Sequence, residues 1–165
     1  MTRAVLSLGS NLGDRLANLR LAVAGLADVL VTASPVYETK PWGVEDQPDF
    51  LNAVVVVTDP SADAWTWLRR AQSLEQQAGR VRERHWGPRT LDVDVITVDG
   101  VTSDHPDLLL PHPGTPSRAT VLIPWLAVDP KATLPGHGPI ADLLTALPAG
   151  SKEDVHLRDD LTLTP

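Results

Sequence analysis

An α+β fold is predicted for this chain: a mixed or antiparallel sheet with two helices packed on one face. Three observations predict it. Short β-branched runs alternate with two segments of helical period. Their order is strand, helix, strand, strand, helix, strand. The apolar share, 42% of 165 residues, suits one compact core.

Ala4 to Leu8 is a short apolar run that stops at Gly-Ser-Asn and reads as a strand. Asp14 then opens a segment with Leu16, Leu19, Val23, Leu26 and Leu30 at steps of three and four, the helix period. Asn11 or Asp14 is its expected cap, since both residue types accept bonds from free amides of the first turn. Val31 to Glu38 is β-branched and reads as a strand interrupted by proline. Lys40 to Asp49 carries Pro41, Gly43 and Pro48, which is loop chemistry. Phe50 to Thr58 contains AVVVV and is the clearest strand. Asp63 to Ala78 reads as the second helix, with Trp65, Leu68, Ala71 and Leu74 expected inward.

Arg80 to Arg89 is polar and basic, and Leu91 to Val98 is a strand again. Asp99-Gly100 signals a tight turn between Val98 and Val101. The stretch DHPDLLLPHPGTPSR is proline-rich and is expected to be irregular. Ala119 to Val128 and Ile140 to Leu147 are expected short helices. The polar tail from about residue 151 is expected to be peripheral to a single domain spanning residues 1–165. The order of elements is that of a ferredoxin-like split β-α-β unit.

Lys and Arg total 14 against 21 Asp and Glu, a formal charge of −7. Phosphate neutralisation carries most nucleic-acid affinity, so this balance argues against a nucleic-acid partner. An RNA-binding sheet also wants exposed aromatics, and the chain has one Phe and one Tyr. The absence of cysteine removes disulfides, thiolate nucleophiles and Cys-ligated zinc. No apolar window approaches the roughly 18–20 residues of a membrane span, and the N-terminal apolar run is too short for a signal segment. A cytoplasmic protein with no membrane partner is expected. The sequence does not report an oligomeric state, and a monomer is the working expectation.

The chemistry concentrates in HWGPRTLDVDVI, residues 85–96. Alternate residues of a strand face one way, so Asp92 and Asp94 share a face while Leu91, Val93 and Val95 point into the core. Two neighbouring carboxylates repel, and a cation between them relieves the repulsion. Mg²⁺ takes oxygen ligands and is commonly held by one or two carboxylates plus substrate phosphates. A bare D-x-D is more often a solvent-facing pair, and four arginines in a row of loop residues can be a solvated face. Here the arginines, Arg80, Arg82, Arg84 and Arg89, run directly into the acidic strand. Guanidinium forks suit phosphate oxygens, and basic loop plus paired acids is what a nucleotide–metal site requires. No Walker A pattern occurs, so any triphosphate is held by side chains. For GSNLGDR, a turn-and-cap role is preferred to a phosphate loop.

GRVRERHWGPRTLDVDVI resembles the signature of the 6-hydroxymethyl-7,8-dihydropterin pyrophosphokinase family. LGSNLGDR, QPDFLNAVV, and LPHP before RATVLIPWLAVDP extend the resemblance in family order from about Ala4 to Pro130. Position 85 departs from the R-W-G-P-R-T-L-D-x-D pattern, with His in place of Arg.

The resemblance implies transfer of the β,γ-diphosphate of ATP to the hydroxymethyl group of a dihydropterin, with AMP as the other product, in folate biosynthesis. It implies that Asp92 and Asp94 hold two Mg²⁺ ions, and that Arg80 and Arg89 act on the phosphates. Arg82, Arg84 and Trp86 match a mobile loop that closes over the substrates; that loop is about one residue shorter here. His112 and Arg118 match nucleotide contacts, and Glu75 a helix acid near the site that binds pterin or positions an arginine. On the pterin side, Phe50 matches a stacking aromatic, Asn52 an edge reader, and Thr39, Trp42 and Gly43 the pocket wall. The family's second stacking aromatic is Thr120 here, and Trp42 is the expected replacement surface. Position 113 is proline where an aromatic is common. The competing reading, a non-catalytic regulatory module, leaves the paired acids beside four arginines unexplained.

Overall fold

The run AVVVV is buried on both sides because it lies in the middle of three layers. The computed structural model of the chain describes residues 2–40, 48–79 and 90–163. In chain order the elements are β1 (Thr2–Ser10), α1 (Arg15–Gly25), β2 (Leu30–Ala33), β3 (Tyr37–Thr39), β4 (Phe50–Asp59), α2 (Ala64–Gln77) and β5 (Asp92–Val98). There follow β6 (Ser103–His105), β7 (Leu108–Leu110), a 3₁₀ turn at Thr115–Ser117, α3 (Ala119–Val128), β8 (Thr133–Leu134) and β9 (Gly138–Pro139). α4 (Ile140–Ala146), α5 (Ala149–Glu153) and β10 (Val155–Leu157) end the chain.

The main sheet has the order β10-β3-β4-β1-β5, with β2 also paired to β4. Each of its pairings is antiparallel, which decides between the mixed and antiparallel expectations. On one face, Leu6, Leu8, Ala53, Val55, Val57, Val93 and Val95 pack against Leu19, Ala22 and Val23 of α1 and Trp67, Ala71 and Leu74 of α2. On the other, Val5, Val54, Val56 and Ile96 pack against Val121, Leu122 and Trp125 of α3 and Ile140 of α4. The predicted pair of helices therefore covers one face, as expected, and α3 with α4 covers part of the second.

Asp14 is the cap of α1, accepting from the Ala17 amide at 3.0 Å. Leu30, grouped with that helix by period, belongs instead to β2, because α1 ends at Gly25. The strand expected over Val31 to Glu38 is two strands on either side of Pro35, which has no N–H for the ladder. Ser34 spans the break: its amide donates to Val54 O at 2.8 Å, and its Oγ accepts from the Val54 amide at 2.9 Å.

On α2, Asp63 and Thr66 form a reciprocal capping box that sets the start of the helix. The buried stripe is then Ala64, Trp67, Ala71, Leu74 and Glu75. Trp65 was expected inward and is 38% exposed, standing edge-on to His105 with ring centroids 4.8 Å apart. Trp67 takes the inward place with 0% exposure, where truncation to alanine costs about 3–5 kcal/mol.

Asp99-Gly100 makes the expected turn, with Gly100 at φ 73° and Val98 bridged to Val101. The stretch from Asp104 is more regular than its prolines suggest: β6 and β7 form a hairpin, and Leu108 and Leu110 are buried. The polar tail lies at the edge of the sheet and is paired into it, with β10 antiparallel to β3. Leu163 reaches the α1–α2 core. His105, His137 and His156 are exposed. Among the described residues no helix is long and apolar enough to cross a membrane.

Candidate active site

The register of three strands brings the predicted residues into one row. Asn52 of β4 is opposite Gly9 of β1, and Gly9 is opposite Asp92 of β5. One step along, Val54 faces Ser7 and Ser7 faces Asp94. Alternation along β4 and β5 puts Phe50, Asn52, Asp92 and Asp94 on the same face, away from α1 and α2. The burial pattern agrees: both acids are half-buried, while Val93 and Val95 are each 5% exposed. The two carboxylates are therefore a shelf at the end of the sheet.

Between shelf and Asn52 lies Gly9, and the space over it is tight. A Cβ there would meet Asn52 Oδ1 at 3.0 Å and Phe50 Cδ1 at 3.3 Å. Asn52 in turn donates from Nδ2 to the Thr39 hydroxyl, a residue only 2% exposed. Thr39 pairs across the strands with Phe50. Thr39, Phe50 and Asn52 thus form one wall, with the amide oxygen of Asn52 directed toward the glycine floor.

Glu75 is 5% exposed on α2, and its Oε2 accepts from the Val93 amide at 3.0 Å. That amide lies between the two acids, so the helix carboxylate anchors the strand that carries them.

His112 is tied to the same strand through its amide, which donates to Ile96 O at 2.9 Å. Burial, helped by the charge of Arg118, holds its imidazole below the ordinary 6.5, against the opposing pull of Asp92. Burial and Arg118 thus favour the neutral ring, and Asp92 favours the charged one. Arg118 precedes α3, and its guanidinium rests on Gly114: a Cβ at that glycine would be 2.7 Å from Arg118 Nε. Beside Asp94 and His112 opens a cleft of ≈ 210 Å³ whose apolar wall includes Leu68, Val93, Leu108 and Leu109. A larger, more polar cleft of ≈ 390 Å³ at the far end of β1 and β5 is bounded by Arg3, Asp99 and Lys131 and touches none of the predicted residues.

Thr39, Phe50, Asn52, Glu75, Asp92, Asp94, His112 and Arg118 are thus gathered around the ends of β4, β1 and β5. Trp42, Gly43, Arg80, Arg82, Arg84, Trp86 and Arg89 lie outside the described residues. Thr120, second in α3, is half-buried. Sequence reasoning missed Gly9 and the leucine cleft. The signal for the first was present: GSN follows a strand that the paired-acid strand must adjoin. The shelf's donors are oxygens from two carboxylates. Such a set leaves most of a hard cation's coordination to water and substrate, which fits Mg²⁺.

The 7,8-dihydro-6-hydroxymethylpterin-pyrophosphokinase (HPPK) family model matches residues 5–130. A 2-amino-4-hydroxy-6-hydroxymethyldihydropteridine pyrophosphokinase of Mycobacterium tuberculosis H37Rv is 50% identical over 169 residues, covering 95% of this chain and 90% of the relative. The enzyme of the same name from Mycobacterium leprae is 51% identical over 177 residues, covering 99% and 92%. A solved HPPK-DHPS in complex with substrates superposes on 88% of this chain with a TM-score of 0.68 at 13% identity. The chain spans 43% of that structure's length, and at this identity the likeness is one of fold. A model matched over most of the chain, relatives at half identity and a shared fold lead to one conclusion: the chain belongs to the 7,8-dihydro-6-hydroxymethylpterin-pyrophosphokinase family.

Proposed function

We propose that the described site binds ATP across Asp92, Asp94 and His112 and a dihydropterin against Phe50, Asn52 and Thr39. Membership makes the chain an ATP-dependent diphosphotransferase of folate biosynthesis, acting on hydroxymethyldihydropterin. The observation that carries the assignment of roles is the row Asn52, Gly9, Asp92, in which a pterin-reading amide and a phosphate-side carboxylate flank a residue with no side chain.

In this reading Asp92 and Asp94 hold two Mg²⁺ ions. Bound there, the ions would offset phosphate charge and supply Lewis acidity to the reaction. The chain's own residues do the rest. Phe50 stacks on the flat heterocycle, and Asn52, fixed by its bond to Thr39, reads the amide edge. That pose points the hydroxymethyl group over Gly9 toward the acids. The hydroxyl oxygen attacks the β-phosphorus, the bond to the α–β bridging oxygen breaks, and AMP departs. The hydroxyl proton leaves toward a carboxylate of the pair. Charge that builds on the phosphates meets Arg118 and, from outside the described residues, Arg80 and Arg89. His112 donates a hydrogen bond to phosphate from a ring N–H. The leucine-walled cleft beside Asp94 takes the adenine, an apolar face needing little more than a slot of its width. Arg82, Arg84 and Trp86, outside the described residues, are assigned to shielding the phosphates from water, which would otherwise compete for the diphosphate.

The deciding experiment supplies ATP, Mg²⁺ and 6-hydroxymethyl-7,8-dihydropterin to the purified chain. AMP formed in step with pterin diphosphate is the expected result. ADP as the product, or AMP formed independently of pterin, overturns the assignment.

A further inference from the structure

Behind the wall formed by Thr39, Phe50 and Asn52 stands a charge network that the reaction itself does not use. Glu38 lies between Tyr37 and Thr39 on β3, so its side chain points to the opposite face from Thr39. Each of its oxygens is held by a different arginine. Arg15, the first residue of α1, donates to Oε2 at 2.6 Å, and Arg158 donates to Oε1 at 3.0 Å. The same Arg15 nitrogen donates to Asp49 O at 3.0 Å, one residue before Phe50. Asn11 adds a bond from its side-chain amide to Pro48 O at 3.1 Å. Arg158 is itself fixed, with its amide on Val36 O at 2.8 Å and its fork on Asp160 at 2.9 and 3.0 Å. Beyond the network, Val155 of β10 pairs with Thr39.

Two features set this apart from ordinary surface pairing. The side chains of Glu38, Arg15 and Arg158 are 25%, 30% and 31% exposed, so the network is partly screened from water. It also joins four separate stretches of chain: β3, the start of α1, the residues leading into β4, and the segment after β10. Of these, Arg158 lies beyond residue 130, where the family match stops.

We infer that Arg15, Glu38 and Arg158 act as a positioning clamp for the pterin side of the site, so that the segment after residue 130 contributes to substrate binding. Thr39 and Phe50 are each one residue from a clamped position, Glu38 and Asp49. If the clamp loosens, the two strands shift relative to each other and Asn52 loses the hydroxyl that orients it. The acids of the phosphate side lie on β5, which is separated from β3 by β4 and β1 in the sheet.

The inference rests on the proposed pterin wall, and its test separates the two. Glu38→Gln keeps the size of the side chain and removes its charge. It should raise the KM for hydroxymethyldihydropterin about tenfold, equivalent to 1.4 kcal/mol. Turnover at saturating pterin should stay within about twofold, because the change falls on the pterin wall and leaves the acids of β5 in place. The affinity for a non-hydrolysable ATP with Mg²⁺ should not change. Arg158→Ala should produce the same split, and the double variant should add little to either single one, as for residues acting through one network. Should Glu38→Gln fail to fold, Arg15→Ala with partial rescue by Arg15→Lys provides the same readout. Folded variants with unchanged pterin KM, or with pterin and nucleotide affinity weakened alike, overturn the clamp. If the wild-type chain forms no AMP with pterin, the functional assignment fails instead.

Discussion

Gly9 and Asn52 approach so closely across β1 and β4 that a methyl group on the glycine would sit 3.0 Å from the Asn52 amide oxygen. Phe50 is next, at 3.3 Å. A side chain at this position would crowd its neighbours, and both of them belong to the proposed pterin wall. Overpacking of this kind costs about 1–3 kcal/mol, and the easiest relief is for Asn52 and Phe50 to move. Gly9→Ala should therefore weaken pterin binding by at least about tenfold while the chain stays folded. Titration with a pterin analogue measures it, and unchanged affinity would show that the floor has room to spare.

Much of this was legible in sequence. Alternation in LDVDVI gave the direction of Asp92 and Asp94, and the burial pattern of β5 repeats it. AVVVV announced a central strand, although its burial on both faces depends on α3, which contacts it only through the tertiary fold. Trp65 and Trp67 were harder. Either fits an apolar stripe, and the Asp63–Thr66 cap decides which turn faces inward. Proline count hid the β6–β7 hairpin, because Pro106 sits at its turn and leaves the pairing of Leu108 and Leu110 intact. Glu38 was illegible: its partners are 23 and 120 residues away in sequence, and no local pattern links them.

Glu75 connects helix and shelf through the Val93 backbone amide. Truncating it leaves the buried Val93 N–H without that partner, at a cost of roughly 1–3 kcal/mol. Since Val93 lies between the acids, the same change should disturb both carboxylates. Glu75→Ala should lower the urea midpoint by the corresponding amount and reduce turnover, with Glu75→Gln milder in both, because its amide oxygen can still accept. A Glu75→Ala chain of unaltered stability would remove this anchor from the account.

Loss of a shelf carboxylate bears on chemistry more than on folding. Asp94 is half-buried on a strand whose core contacts come from Val93 and Val95 on the other face. Asp94→Ala should therefore keep the circular dichroism and melting profile of the parent. Turnover should fall by at least about 10²-fold, the scale of removing one preorganised electrostatic partner from a transition state. Raising Mg²⁺ should recover only part of it. Near-parental turnover in this variant contradicts the metal-shelf assignment.

The clamp also predicts a pH response of stability. Hydrogen bonding from Arg15, reinforced by Arg158, holds the Glu38 carboxyl below its ordinary 4.5. The unfolded chain therefore takes up the proton first as pH falls. The stabilisation from Glu38 is complete above pH 4.5 and is lost as pH drops through the lower folded value. Urea midpoints measured from pH 6 downward should decline more steeply in the parent than in Glu38→Gln, where this carboxyl is absent. Parallel curves would mean that the network adds no pH-linked stability.

Thr120 stands at the start of α3, at the place where the family resemblance implies a second stacking aromatic, and its side chain offers the pterin no ring. One stacked face is worth about 0.5–1.5 kcal/mol beyond the area it buries. The proposed replacement is Trp42, which an indole's size and rigidity would suit to the task. Two variants separate this from simple loss. If Trp42 supplies the missing face, Trp42→Ala should weaken pterin binding by roughly threefold to tenfold. Thr120→Phe should then restore most of that affinity in the Trp42→Ala background and add less to the parent, since one face cannot be stacked twice. Equal gains in both backgrounds would mean the two positions act on the pterin independently, and no weakening in Trp42→Ala would leave the pterin stacked by Phe50 alone.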